Sequence, residues 1–193
     1  MAGQPTRQQL RNGASGIAYR AWQLAGVAEL LHGAGLRAPD PRAATTANNA
    51  LIESALGNAR GLAWFFTRRS DVHFSMYDPT WSNDDIVAVA AKVEEPVSRF
   101  FSHASKGDRE SDKHPGIWPV PELALVLVGS LATLVGSLNS SSDAYDLAWF
   151  SPSPAQTYRD LIALDLLAVP TAISENRRVV ALTRALRSFL ASS

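Results

Sequence analysis

Apolar residues recur three and four apart along nearly every long segment of this chain, and no stretch alternates polar with apolar long enough to make a strand. A helix repeats its face every 3.6 residues and a strand every second residue, so the pattern predicts an all-α protein. The first helix is expected over about residues 5–32, ending in the breaker "HGAGLRAPDP". Thr45 or Thr46 is expected to cap a second helix that runs to about Arg69, and Ser82 or Asn83 a third through about Ser105, kinked or restarted at Pro96. A fourth helix is expected over about 120–138, and two shorter ones over about 155–168 and 174–191.

With 193 residues and 46% hydrophobic side chains, the chain can bury one sizeable core rather than two. The serine- and proline-rich stretch "NSSSDAYDLAWFSPSPAQ" divides it into a helical bundle, residues 1–140, and residues 141–193, a linker and helical extension that packs on the bundle. Eighteen basic residues balance eighteen acidic ones, so no global field draws the chain to nucleic acid or anionic membrane. The absence of cysteine excludes disulfide frameworks, thiolate zinc sites and cysteine nucleophiles, and suits a reducing compartment; a cytoplasmic protein is expected. The N-terminal stretch has arginines but no apolar run behind them, which argues against export.

The most apolar run is "LALVLVGSLATLVGSL", Leu123 to Leu138, somewhat short of the roughly 20 residues a spanning helix needs, and it reads as a buried helix with no membrane role. Gly129 and Gly136 lie two turns apart on one face, where a neighbouring helix can approach closely. This stretch and the C-terminal helix are the two faces expected to support a homodimer or a protein partner.

Chemistry concentrates in "NNALIESALGNARGLAWFF", residues 48–66. Leu51, Ile52, Ala55, Leu56, Ala59, Leu62, Ala63 and Phe66 form one apolar arc; Glu53 and Arg60 share the opposite side two turns apart, and Asn58 sits at the rim. Glu53 and Arg60 are too distant for an i, i+4 pair, so each is expected to act as a structural polar anchor toward another segment. On the third helix Arg99 and His103 lie four apart. An imidazole titrating near neutrality and an arginine that grips phosphate would together suit metal-independent RNA cleavage, with His103 as acid or base and Arg99 or Arg60 on the phosphate.

Other features carry less. His73, His103 and His114 with Asp71 or Asp78 show no recurrent metal-ligand spacing, so no metal is expected. Neither G-x-S-x-G nor a Walker loop occurs, and no cofactor is implied. "RESDKH", Arg109 to His114, falls in a proline-flanked loop where no helix would hold its ends in register. Arg177, Arg178, Arg184 and Arg187 read as a solvated helix face or a phosphate-contacting patch.

The order of "NNALIESALGNARGLAWFF", "VEEPVSRFFSHAS" and "GIWPVPELALVLV" resembles a group of uncharacterised bacterial proteins allied to the HEPN helical domains, over roughly residues 45–138. Their pattern pairs an E-S-x-x-x-H-A-R-x-L-x-x-F helix with a later Arg/His helix and a tryptophan before the last core helix. Glu53, Arg60, Phe65, His103 and Trp118 fit it; Asn58 stands where that group has histidine. The resemblance implies a HEPN-like bundle of about four core helices with a C-terminal two-helix extension. It also implies either a non-catalytic interaction module or an endoribonuclease or RNase-like toxin of a defence or stress system.

Overall fold

The computed structural model describes residues 5–32, 40–68, 72–103, 118–141, 147–168 and 176–192, the side chains at 102–103 and 139–141 excepted. Among these residues there are six α-helices and no strand: α1 (Arg7–His32), α2 (Pro41–Thr67), α3 (Asp84–His103), α4 (Val120–Ser141), α5 (Pro154–Ala163) and α6 (Arg177–Ser192). The all-α expectation holds.

Several boundaries differ, each for a local reason. The cap of α2 is Asp40, whose carboxylate accepts the Arg42 N–H at 2.9 Å. Pro41 is thus the first helical residue, where its missing N–H costs nothing and its fixed φ already suits a helix. Thr45 and Thr46 lie inside the first turns and donate back to the carbonyls of Pro41 and Arg42. α3 starts as expected, with Asn83 accepting the Ile86 N–H, but it runs through Pro96 without a break. Proline removes one helical hydrogen bond there, and the ring is buried beside Val93 and Val97 on the apolar stripe, which offsets that loss. α5 is shorter than its pattern, giving way to turns at 164–168, and α6 starts at Arg177 behind an Asn176 cap. The breaker at 33–39 and the "RESDKH" stretch lie outside the described residues.

α4 is the central element, with α1, α2, α5 and α6 packed around it. Leu123, Leu127, Leu131 and Leu134 have no solvent exposure, and burying each contributes about 1.5–3 kcal/mol. By length and composition α4 is the one described helix that could cross a membrane, yet 67% of that window is buried inside the protein. Much of the helix expected to mediate dimerisation is therefore packed against its own chain, while Thr133 and Gly136 stay exposed. Gly129 does admit a close neighbour, Tyr158 of α5, whose ring carbons stand 2.8 Å from where a Cβ would be; around Gly136 nothing among the described residues lies within 4 Å.

One apolar core runs through all six helices, and α5 and α6 insert Leu161, Val179, Leu182 and Leu186 into it. The loop after α2 closes one end of it. There the Tyr77 hydroxyl donates to the Leu10 carbonyl of α1 at 2.7 Å, and Phe65, Phe66, Phe74, Tyr77 and Trp81 pack as an aromatic cluster.

Candidate functional site

Of the polar residues singled out in the sequence, Arg60 lies where α2 meets α3. Arg60, Trp64 and Arg68 follow one another at single-turn spacing along α2, and both guanidinium carbons lie 4.2 Å from the Trp64 ring centroid. Arg60 also reaches α3, at 6.0 Å from the Phe101 ring. A guanidinium over an aromatic face is attracted by the ring quadrupole, by about 0.5–2 kcal/mol depending on desolvation. Gly57, one turn before Arg60, leaves room for that phenyl ring, which would stand 3.9 Å from a Cβ.

Further along the seam, Arg68 directs Nε (3.0 Å) and Nη2 at the same oxygen of Glu94 on α3, and the Thr67 hydroxyl donates to the other oxygen. Burial alone would raise the Glu94 carboxyl. The Arg68 hydrogen bonds, the Arg68 charge and Thr67 outweigh burial and hold it below the usual range. The result is a ladder of alternating cation, ring, cation and carboxylate along two helices.

Arg60 thus meets α3 through a ring rather than a carboxylate. Its Nε is buried and has no hydrogen-bond partner among the described residues. Glu53 is exposed and makes no hydrogen bond or ion pair with a described residue; Asn58 is half-buried at the rim. Arg99 is exposed and approaches Glu95 one turn earlier on α3, at 3.8 Å. At 100° per residue Arg99 is turned about 160° from Phe101, so it stands on the far side of α3 from Arg60. His103 is the last residue of α3, and its side chain lies outside the described residues, as do His114 and Asp71.

The chemistry open to this seam is limited. General acid–base catalysis needs a proton carrier near its optimum pKa and within hydrogen-bond reach of the reacting group. Glu94 is held ionised with both oxygens occupied, and the Arg60 guanidinium lies over the Trp64 ring. The remaining candidates also have structural partners. His73 is buried, with Nδ1 2.8 Å from the Ser75 hydroxyl and accepting the Ser75 N–H. Asp78 accepts from Thr80 N–H and hydroxyl, Trp81 N–H and the Ser137 hydroxyl of α4. Of the C-terminal arginines, Arg187 is bound to Glu122 and Arg178 approaches Glu95 at 3.9 Å, so these two form part of the α6 interface rather than an open phosphate patch.

Sequence reasoning took Trp64 as a core or loop anchor and missed Arg68, Glu94 and Glu122. The Arg60–Trp64–Arg68 run at i, i+4 and i+8 was a readable signal. Glu122 and its partner are 65 residues apart, and no spacing rule connects them.

Fold and seam together define a class, an all-α bundle whose polar side chains on this face tie helix to helix. No family model matches the chain, and no curated protein or solved structure is significantly similar to it.

Proposed function

We propose that the chain is a cytoplasmic, non-catalytic helical interaction module of the bacterial HEPN-like kind, with α1–α4 as its core helices and α5–α6 as a C-terminal extension. The observation that carries this reading is the commitment of Arg60 to the Trp64 and Phe101 rings, on the side of α3 away from Arg99. A nuclease needs a phosphate-gripping arginine beside its proton carrier; Arg60 lies over two rings instead, and Arg99, the other arginine for that role, is drawn toward Glu95.

The test is Arg60→Ala. A structural Arg60 predicts a lowered melting temperature with no change in RNA affinity. Unaltered melting with loss of RNA binding contradicts the proposal and favours the endoribonuclease reading.

A further inference from the structure

α1 buries one side and leaves the other bare. Tyr19 and Trp22 are 52% and 48% exposed, with ring centroids 5.9 Å apart, and Leu30 is 48% exposed two turns beyond Trp22. Ser15, Tyr19, Trp22 and Gly26 follow at alternating spacings of four and three, which keeps them on a single seam of the helix. The bulky pair stands at the middle of α1, with a small residue about one turn out on either side.

No close neighbour among the described residues requires a glycine at position 26. A mid-helix glycine costs about 1 kcal/mol relative to alanine, yet nothing lies within 4 Å of where its Cβ would be. Charge supplies a second, independent observation. Arg11 and Glu29 are both exposed, and neither pairs with a described residue. They are eighteen residues apart, five whole turns, so they share an azimuth flanking the seam and stand about 27 Å apart along the axis.

We infer that α1 is the docking surface for a second copy of this chain, packed antiparallel across a two-fold axis near residues 20 and 21. Such an axis makes the interface self-complementary, so residue i faces j where j also faces i. In this register Tyr19 of one copy meets Trp22 of the other, and Ser15 meets Gly26. Arg11 falls beside Glu29 at both ends. Ser15 against Gly26 on either side leaves the aromatic layer to set the separation of the two axes, within the roughly 8–10 Å range of packed helices. A parallel pair would set Arg11 against Arg11 and Glu29 against Glu29, so charge selects the antiparallel arrangement.

This inference names the partner of the interaction module and rests on that reading. Sedimentation equilibrium of the full chain at micromolar concentration should give twice the 20.8 kDa of one chain. Glu29→Arg should weaken the dimer at least about tenfold, and adding Arg11→Glu should restore it, with helicity by circular dichroism unchanged in both. A wild-type chain at single-chain mass overturns the inference, as does a Glu29→Arg variant that dimerises as tightly as wild type. A single-chain mass in a protein that cleaves no RNA removes only the dimer, whereas RNA cleavage removes the module reading itself.

Discussion

Arg187 of α6 directs two N–H groups, Nε at 2.9 Å and Nη2 at 2.8 Å, to a single oxygen of Glu122, a carboxylate in the first turn of α4 with no solvent exposure. The arginine itself is half-exposed, so the pair brings solvent-side charge to a buried acid and fixes α6 against the central helix. The second Glu122 oxygen has no hydrogen-bond partner among the described residues, so the acid depends on Arg187. Arg187→Ala should therefore cost about 3 kcal/mol, the lower end for breaking a buried pair, because water reaches part of the site. Urea denaturation followed by circular dichroism checks this. Replacing both residues by leucine should recover much of the loss, since no charge is then left buried.

Asp78 fastens the loop after α2 to α4, and its carboxyl is held below the ordinary range. The Thr80 hydroxyl hydrogen bond contributes most; burial opposes it, and the Thr80 and Trp81 amides and the Ser137 hydroxyl add to it. A depressed folded-state pKa contributes stability above the unfolded value, near pH 4, and that stability is lost as pH falls from there through the folded value. Glu94, shifted in the same direction, adds to the effect. The urea midpoint should stay level near neutrality and fall steeply below about pH 4. Asp78→Asn should lower the midpoint at pH 7 and flatten the acid limb. An equally steep acid limb in that variant would remove Asp78 from the account.

The two α4 glycines should respond in opposite directions. Gly129→Ala drives a methyl into the Tyr158 ring, which is stiff and held by α5, so a loss of about 1–3 kcal/mol is expected. Gly136→Ala meets nothing and should gain about 0.5–1 kcal/mol through helix propensity. Thermal unfolding of the two variants side by side distinguishes them.

These cases show what the sequence could convey. The apolar arc of α2 was readable, because helical burial follows from spacing within one segment: Ala55, Leu56, Ala59, Leu62, Ala63 and Phe66 are all buried, with Leu51 and Ile52 packed at its edge. The same spacing rule accounts for α3 and α6, where Ile86, Val89, Ala90, Val93 and Val97 and, on α6, Val179, Leu182 and Leu186 are buried. The glycine pair was read as one face, but whether a neighbour uses that face depends on where α5 crosses, which is a tertiary fact. Arg187 looked like any other arginine on a solvated face, since its partner is brought to it only when α6 folds back on α4. Arg60 was expected to bridge to another segment rather than to its own helix. Its nearest partner is Trp64, a single turn away on its own helix.

The central claim, that Arg60 holds α2 to α3 rather than serving a cutting site, is tested most directly by incubating purified protein with mixed-sequence RNA in EDTA, alongside His103→Ala and Arg60→Ala. The account predicts no cleavage above buffer for any of the three, with Arg60→Ala alone melting at lower temperature by the equivalent of about 1–2 kcal/mol. Metal-independent cleavage by the wild type that disappears in both His103→Ala and a fully folded Arg60→Ala would contradict it.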